Sequence, residues 1–327
     1  MNCVVIGTSW ISEQWIQALN ASEHMRFYGV YSRQLNKASA LVEKYQGNVA
    51  YDSMDTLLND SAVDIVYIAS PNSLHYSQAK QVLLANKTAI VEKPIVSNRK
   101  EMAELLEVAK TSSGYLFEAI MPIHMPRHQT VSELIPSVGK LKLVSVQFNQ
   151  YSSKYNAYRN HEMTNVFDTK FSGGALYDLG IYAIYFLLAY FGRPVETRYM
   201  ANQGVGGIDL SGVLTLRYPD FIATILLGKD NRGINTTQII GEDGNILIEG
   251  SVSIYQNVRF VSPDKNEVMT VEQEKNPMIH EIKSMEQVLL SQDKETMHQW
   301  LSLASDVCDI MEEARRDAGI VFEADRV

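Results

Sequence analysis

The sequence has little cysteine, and what it has is scattered. Cys3 and Cys308 stand near opposite ends of a chain of 327 residues. Neither has the spacing of a metal site, so we expect no metal centre, and so few thiols exclude a disulfide-rich secreted scaffold. Residues 1–6 also show no basic leader or cleavage signal. A reduced protein of the cytoplasm is therefore the expectation.

A basic block is missing as well. The 29 Lys and Arg residues are outnumbered by 38 Asp and Glu residues, which gives a net charge of −9. This balance argues against nucleic acid or an anionic membrane surface as a partner. It is compatible with a phosphorylated ligand, because helix N-termini bind phosphate without net basic charge. The longest apolar helix candidate, residues 181–191, is too short to span a bilayer.

What is present is the composition of a soluble globular protein, with 46% apolar and 20% charged residues. The chain is too long for one ordinary hydrophobic core, so two domains are predicted. We place a dinucleotide-binding domain at residues 1–120 and a substrate-binding and oligomerisation domain at residues 121–327, where the residue pattern changes.

Strand and helix patterns alternate through the first 120 residues. Apolar β-branched runs end in turn residues, and each is followed by a segment of helical spacing. Such alternation predicts a parallel, doubly wound Rossmann-type sheet with right-handed crossovers. Strands are predicted at residues 2–6, 27–31, 49–51, 63–69, 89–91 and 115–118, and helices at 10–19, 36–45, 54–58, 74–85 and 101–110.

The glycine fingerprint of a dinucleotide site is incomplete. The first strand leads into Gly7-Thr8-Ser9-Trp10-Ile11-Ser12, so only the first glycine of G-x-G-x-x-G is present. Serine is the smallest alternative where backbone approaches phosphate, and its hydroxyl can donate to a phosphate oxygen. An ordinary turn between strand and helix explains the residues equally well. Because the turn is the first of a Rossmann-like half, we predict cofactor contacts at Gly7, Thr8, Ser9, Trp10 and Ile11.

The end of the second strand bears on the choice of nicotinamide cofactor. An acidic residue there would bind the ribose 2′-hydroxyl of NAD, but the sequence has Ser32 and Arg33. A hydroxyl and a guanidinium suit the 2′-phosphate of NADP. The alternative is an arginine that merely solvates a helix start. We favour NADP over NAD.

A lysine ends the strand at residues 89–91. Glu92, Lys93 and Pro94 follow three apolar residues, and the proline ends the ladder pairing. Ligands of open α/β sheets bind outside the carboxyl ends of the strands, so Lys93 is predicted to face a crevice. Partial desolvation there lowers the pKa of an ammonium towards the range useful for proton transfer. On this tripeptide alone, a surface lysine is the simpler interpretation.

The second half of the chain predicts an open, mostly antiparallel sheet, because its strands lack intervening helices. One helical stretch after Gly173 and Gly174 carries Asp178 and Tyr182, four residues apart and so on one helical face. A core helix with a satisfied aspartate and a packed tyrosine explains them without function. Strands are predicted at 141–150, 196–201, 212–218, 222–227, 236–240, 245–249 and 252–256, and closing helices at 278–290 and 294–318.

Taken in order, these motifs resemble the Gfo/Idh/MocA family of oxidoreductases. The resemblance runs over nearly the whole chain, and Glu-Lys-Pro is its most specific mark. It is carried by Gly7, Ser32-Arg33, Pro71-Asn72-Ser73-Leu74-His75, Glu92-Lys93-Pro94, Glu118-Ala119 and the stretch from Gly173 to Tyr182. Tyr182 stands where many members have histidine, which is closer to the glucose–fructose oxidoreductase and dihydrodiol dehydrogenase branch.

The resemblance implies NAD(P)-dependent hydride transfer at a carbinol or carbonyl carbon of a sugar, polyol or cyclic diol. It implies that Lys93, Asp178 and Tyr182 are catalytic, with Lys93 and Tyr182 sharing the proton transfer. Whether Lys93 or Tyr182 is the immediate donor stays open. Ser70, Pro71, Asn72, His75, Glu92 and Lys93 join the predicted cofactor contacts, although a capping or packing role is the stronger interpretation of His75. Polar contacts to substrate are expected among Asn149, Tyr151, Tyr155, Tyr158, Arg159 and Asn165.

Two further expectations concern regulation and assembly. A non-catalytic sensor that binds NAD(P) on the same fold is the alternative function, and the degraded glycine fingerprint fits it. The retained set of Lys93, Asp178 and Tyr182 favours the enzyme. One face of the second sheet is predicted to be apolar and to form a homodimer or homotetramer. Its members are predicted to be Val213, Leu216, Ile222, Thr224 and Leu226.

Overall fold

The computed structural model describes residues 1–162 and 164–326. The chain divides into two compact units. Unit 1 comprises Met1–Ile120 and Glu274–Ala304, and unit 2 comprises Met121–Gln273 and Ser305–Val327. The break after residue 120 coincides with the predicted domain boundary. The segment Glu274–Ala304, which was predicted within 121–327, is part of unit 1.

Regular elements cover most of both units. The strands are β1 (Asn2–Ile6), β2 (Arg26–Tyr31), β3 (Val49–Tyr51), β4 (Ile65–Ile68), β5 (Thr88–Glu92), β6 (Leu116–Ala119), β7 (Leu141–Asn149), β8 (Glu196–Gln203), β9 (Asp209–Arg217), β10 (Ile222–Gly228), β11 (Thr236–Gly241), β12 (Asn245–Glu249), β13 (Asn257–Val261) and β14 (Asn266–Met269). The helices are α1 (Trp10–Leu19), α2 (Leu35–Lys44), α3 (Met54–Asn59), α4 (His75–Leu84), α5 (Arg99–Thr111), α6 (Pro126–Leu134), α7 (Tyr155–Arg159), α8 (Ile181–Phe191), α9 (Met278–Ser291) and α10 (Lys294–Asp317).

The sheet of unit 1 is parallel, with strand order β3-β2-β1-β4-β5-β6. Its central strands are buried on both faces, as the unbroken apolar runs require. The predicted Rossmann-type sheet is therefore confirmed. The strand order reverses at β1, between β2 and β4, which is where such sheets bind ligands at the carboxyl ends of their strands.

The sheet of unit 2 is mostly antiparallel, with order β14-β13-β12-β11-β7-β10-β9-β8. The pairing of β7 with β10 is the parallel exception. One face is covered, because alternate residues such as Val146, Ile225 and Leu214 are fully buried. The covered face of β7, β9 and β10 contacts a helical segment at Leu176–Gly180. The predicted open antiparallel sheet is confirmed.

One predicted strand is wrong. Residues 252–256 were expected to be extended, but Ser251 O accepts hydrogen bonds from the backbone N–H groups of Ile254 and Tyr255, which makes a turn. Val252 and Tyr255, three residues apart, are both fully buried, and this spacing is that of a helical turn rather than a strand. The chain enters this turn at Gly250, whose φ is +80°.

The stretch Thr169–Phe191 is long and apolar enough to cross a membrane by length and composition. Only residues 181–191 were considered in the prediction from sequence, and they were judged too short to span a bilayer. The longer stretch meets the length requirement, so that prediction is wrong. Of the most apolar window, 72% is buried inside the protein. Such burial is typical of the core helix of a globular unit.

Candidate functional site

The turn after β1 is shaped for close approach of backbone. Gly7 has a φ of +116°, and a Cβ there would lie 2.6 Å from the carbonyl oxygen of Ala69. Glycine is therefore required by both conformation and space. The Gly7 N–H donates to Tyr31 O across 3.1 Å, which ties the turn to the end of β2.

The residues that follow begin α1. Thr8 and Ile11 are half-buried, whereas Ser9 and Trp10 are exposed, with 72% of Trp10 accessible. Ser9 is the N-cap residue, and its side chain makes no capping hydrogen bond. The N-terminus of a helix that follows a glycine turn suits an anion such as a pyrophosphate.

Ser12 stands where the fingerprint has its third glycine. It is fully buried, and its Oγ has no hydrogen-bond partner among the described residues. Together with the glycine turn, this orphaned hydroxyl is a feature that a bound dinucleotide phosphate would satisfy. The residues present therefore fit a nicotinamide dinucleotide at this turn.

The end of β2 carries the two residues predicted to choose between NADP and NAD. Ser32 is half-buried, and its Oγ accepts a hydrogen bond from the Gln34 N–H at 3.3 Å. The Arg33 side chain is exposed. Since β1 and β2 are neighbours, both residues follow the same sheet edge as Gly7.

His75 joins two of the predicted cofactor loops. Its Nδ1 lies 2.8 Å from the carbonyl oxygen of Pro94, and its Nε2 lies 2.8 Å from that of Ser70. Burial lowers the pKa of His75, and the nearby positive charge of Lys93 lowers it further. A neutral ring donates to only one of these two carbonyls at a time, and the two contacts place His75 between the loop after β4 and the loop after β5. These contacts are compatible with the packing role considered for His75.

The Lys93 loop is fixed from two sides. Besides the contact of His75 with Pro94, the Ile95 N–H donates to Glu118 Oε1 across 2.8 Å. Glu118 lies on β6, so the loop after β5 is bound to β6 as well as to α4. Lys93 itself is half-buried, and the Lys93–Pro94 peptide is cis. The contacts of Pro94 with His75 and of Ile95 with Glu118 fix the backbone beside the lysine, which suits a proton-transfer group.

Beneath this loop, Glu92 is buried and accepts a hydrogen bond from the Tyr67 hydroxyl. The Tyr67 ring stacks on Trp15 with centroids 4.0 Å apart. Glu281, on α9, adds a second buried carboxyl near Glu92, and burial followed by repulsion from Glu92 raises its pKa well above the usual value. The structure thus adds an acidic pair that the sequence pattern did not reveal.

In unit 2, Asp178 lies within a π-helical segment, Leu176–Gly180, that precedes α8. Asp178 and Tyr182 were predicted to share one helical face, and the π-helical segment was not foreseen. Single π-turns inside helices occur often at functional sites. Gly174, just before it, has a φ of +99°, and a Cβ there would lie 2.0 Å from Asp209 Oδ1.

Lys229 is a residue that the sequence reasoning missed. It follows β10, is 3% exposed, and its Nζ donates to Asp178 Oδ2. Tyr182 is half-buried, and its ring centroid lies 5.9 Å from that of Phe148. The available signal was a lysine directly after an apolar strand, the same signal that singled out Lys93.

The structure thus gathers the predicted cofactor residues of unit 1 at one sheet edge and brings Asp178 together with Lys229 in unit 2.

Of the six polar candidates for substrate contacts, Tyr151 donates to Asn156 at 2.7 Å and Tyr155 and Tyr158 pack with Phe167. Tyr158 also lines a cavity with residues of 161–169 and 205–206. Within residues 1–162 and 164–326, no cluster of three or more His, Cys, Asp or Glu side chains is arranged to hold a metal ion.

Comparison with known sequences decides the family. Residues 1–119 match an oxidoreductase family described by its NAD-binding Rossmann fold, and residues 128–247 match the Gfo/Idh/MocA C-terminal domain. The chain belongs to the Gfo/Idh/MocA family. It is accordingly an oxidoreductase whose cofactor is a nicotinamide dinucleotide, as the motifs predicted.

Two full-length relatives are informative. An uncharacterised oxidoreductase of Escherichia coli is 33% identical over 99% of this chain and 98% of its own length. The NADP(+)-dependent scyllo-inositol 2-dehydrogenase of Bacillus subtilis is 29% identical over 98% of both chains. Among solved structures, a 3-ketoreductase from Actinomadura kijaniata in complex with NADP and TDP-benzene has a TM-score of 0.87 at 21% identity, with 98% of this chain and 99% of that chain covered. This last likeness confirms the fold.

Proposed function

We propose that this oxidoreductase transfers a hydride between NADP and a carbinol or carbonyl carbon of a sugar, a polyol or a cyclic diol. In the oxidative direction, the substrate C–H bond supplies the hydride to the oxidised nicotinamide, and the hydroxyl proton passes to the protein. The observation that carries the proposal is the Lys93 loop, fixed by His75 and Glu118 at the carboxyl end of β5.

Different residues of the chain bind the cofactor, transfer the proton and orient the reacting groups. Gly7, the start of α1 and the loop at Ser70–Asn72 hold the dinucleotide at the carboxyl edge of the sheet. Lys93 and Tyr182 serve the proton transfer, since an ammonium polarises a substrate oxygen and a phenol hydroxyl can donate a proton. Asp178 orients the lysine or a substrate hydroxyl.

NADP is the preferred cofactor in this proposal. Arg33 is exposed at the end of β2, next to Ser32, where a 2′-phosphate would be bound by a charge-assisted pair of hydrogen bonds. The Bacillus subtilis relative, at 29% identity, is named as an NADP(+)-dependent enzyme, which supports the same choice. That relative acts on scyllo-inositol, so cyclic polyols are the first substrates to try.

We also propose a homodimer or homotetramer in the cytoplasm. The open face of the unit 2 sheet carries Leu143, Leu226 and Met200 with 49%, 40% and 74% of their surfaces exposed. Leu216 was predicted on this face, but it is fully buried, because it pairs with Ala223 on the covered side. Val213, Ile222 and Thr224 remain half-buried members. Two free, buried cysteines fit a reducing compartment.

The test is a turnover assay with purified protein, in which reduced nicotinamide is followed by its absorbance. NADP(+) is supplied with inositols, aldoses and cyclic diols, and NADPH with the corresponding ketones. We expect turnover with at least one cyclic polyol or sugar, faster with NADP(H) than with NAD(H). Tight NADPH binding without turnover of any member of the panel would instead favour the sensor function.

A further inference from the structure

A buried lysine ends strand β10. Lys229 is 3% exposed, and burying an ammonium is unfavourable unless the charge is paired. Its backbone is fixed on both sides, since its N–H donates to Leu210 O and its carbonyl accepts from the Ser152 N–H, each across 2.8 Å. Its Nζ donates to Asp178 Oδ2. The backbone of Lys229 is thus fixed by β9 and by the segment after β7, and its ammonium is bound by Asp178.

The two side chains of the Lys229–Asp178 ion pair differ in their exposure to solvent. The side chain of Lys229 is 4% exposed and that of Asp178 is 34% exposed. A second buried pair in unit 2, Arg315 with Asp325, is different, because its side chains are 1% and 11% exposed and make two parallel hydrogen bonds. Arg315 and Asp325 form a closed structural pair. Asp178, by contrast, is bound by the buried Lys229 and keeps an exposed surface that a ligand can reach.

The turn that carries Asp178 is anchored at a second point. Asp209 is 2% exposed and accepts hydrogen bonds from the Leu176 N–H at 2.7 Å and from the Tyr199 hydroxyl at 2.8 Å. Leu176 begins the π-helical segment, and Asp209 begins β9. The start of the segment is therefore bound to β8 and β9, and its middle is bound to the end of β10. Two independent anchors fix the position of one carboxylate.

We propose that Lys229 is a positioning residue that holds the ionised carboxylate of Asp178 in a fixed place for its part in turnover. The role of Asp178 in turnover rests on the proposed function, whereas its contact with Lys229 is seen in unit 2 itself. Lys229 acts through Asp178 and contacts no substrate. The titratable groups that meet around this turn are Asp178, Lys229, Asp209, Tyr199 and Asp230, which follows Lys229 in the chain.

The first test compares turnover of three variants. Lys229→Met removes the cation and should lower kcat about 100-fold with a small change in KM, because loss of position alone has effects of this size. Lys229→Arg keeps the cation and should recover most of the loss. Lys142→Met is the matched control, since Lys142 forms an exposed ion pair with Glu242 on the same sheet. We expect its kcat to equal that of the wild type.

A double-variant experiment separates positioning from general damage. In an Asp178→Asn background, Lys229→Met should lower kcat by no more than about 3-fold further, because the two residues act as one unit. A full and multiplicative loss in that background would overturn the proposal. So would a wild-type kcat in Lys229→Met, which would leave Lys229 with a structural role only.

The second test needs no turnover. The carboxyl carbons of aspartate are labelled with carbon-13, and the Asp178 resonance is identified by its loss in Asp178→Asn. In Lys229→Met, the midpoint of its protonation should move up by about one to three pH units, because a nearby cation favours the charged carboxylate. An unchanged midpoint would overturn the proposal. If the wild type turns over no substrate, the proposed function fails, and this titration alone decides whether Lys229 holds Asp178.

Discussion

At the scale of single residues, the same sequence arrangement occurs twice in the chain. A lysine follows an apolar strand directly, at Lys93 after β5 and at Lys229 after β10. Lys93 is half-buried on a loop fixed by His75 and Glu118, which suits a group that exchanges protons. Lys229 is buried and paired with Asp178, which suits a group that only holds another in place.

In the proposed mechanism, the Tyr182 hydroxyl shares the proton transfer with Lys93. Tyr182→Phe should lower kcat by about 100-fold or more with a modest change in KM, as expected when a proton donor is removed. Tyr190→Phe on the same helix is the control, because the Tyr190 hydroxyl donates to the backbone oxygen of His128 at 2.8 Å and has a structural role. Steady-state kinetics decide the point. A rise in KM at constant kcat would make Tyr182 a binding residue.

Arg33 is predicted to recognise the 2′-phosphate of NADP. Arg33→Ala should weaken NADPH binding about 10- to 100-fold and leave NADH binding within about 2-fold, the usual effect of losing hydrogen bonds to a charged group. Arg26→Ala, at the opposite end of the same strand β2, should change neither affinity. Fluorescence titration of both cofactors provides the comparison. Equal weakening for NADPH and NADH would show that Arg33 does not read the phosphate.

A lysine directly after an apolar strand is a local signal that marks both Lys93 and Lys229, but the pairing of Lys229 with Asp178 could not be predicted from sequence. Around Lys93, the apolar strand, the proline and the neighbouring Pro71-Asn72 motif agree within a short stretch of chain. The partner of Lys229 lies 51 residues away, and their contact depends on how a helical segment packs on a sheet. Such tertiary pairing leaves no local pattern. The same holds for Glu281, whose position near Glu92 follows from the packing of α9.

At the scale of elements, α9 carries two buried acids in opposite situations. Glu281 is 1% exposed, and neither of its carboxyl oxygens has a hydrogen-bond partner among the described residues. Glu286 accepts hydrogen bonds from the Ser22 hydroxyl and from the His24 N–H. Burial raises the pKa of Glu286, but these hydrogen bonds outweigh burial and lower it below its usual value.

The raised pKa of Glu281 gives a pH dependence with a definite sign. The folded protein holds this proton more tightly than the unfolded chain, so the stability it contributes is present below the usual glutamate pKa of about 4.3 and is lost as pH rises. Glu281→Gln should therefore raise the free energy of unfolding by about 1 kcal/mol or more at about pH 8 and by much less at about pH 4.

Glu286→Gln is the matched control on the same helix, and it should have the opposite effect. Glutamine keeps an acceptor oxygen but removes the charge that strengthens the hydrogen bonds from three donors, so we expect destabilisation by about 1–3 kcal/mol at about pH 8. Urea unfolding of both variants at the two pH values makes the comparison. A destabilised Glu281→Gln at alkaline pH would contradict the assignment of an unpaired, protonated carboxyl.

Most elements follow from periodicity, and the exceptions have physical causes. Apolar alternation and runs predicted the strands of unit 1 and β7 to β12 of unit 2, because burial on one or two faces dictates the pattern. The last two strands, β13 and β14, were not predicted. The π-turn at Leu176–Gly180 escaped prediction, since its extra residue per turn does not change which residues are apolar. The turn at residues 252–256 escaped because Val252 and Tyr255 are buried at a spacing that a short apolar run does not distinguish from a strand.

At the scale of the whole molecule, the composition predicted two units but not their membership. The segment Glu274–Ala304 returns to unit 1, where α9 packs against α1. The unit to which this segment belongs depends on which apolar faces pack together, and composition carries no information about that packing. The open face of the unit 2 sheet is the feature that bears on assembly, with Leu226 near its centre beside Val213 and Gln147.

Self-association through that face can be tested by introducing one charged side chain. We expect the wild type at micromolar concentration to have at least twice the chain mass of 36.8 kDa by light scattering. Leu226→Glu should give the monomer mass, because a charge at the centre of an apolar interface is desolvated without a partner. Leu84→Glu, on α4 of unit 1 and 63% exposed, should leave the mass unchanged. A monomeric wild type would contradict the proposed dimer.

The central claim is that Lys93 serves proton transfer in a nicotinamide-dependent reaction, and one comparison tests it most directly. Turnover and NADPH affinity are measured for Lys93→Met beside Lys80→Met, a control in which Lys80 forms a surface pair with Glu104. We predict that Lys93→Met loses at least about 99% of kcat while its dissociation constant for NADPH stays within about 3-fold of the wild type. Turnover of Lys93→Met within a few-fold of the wild type would contradict the account.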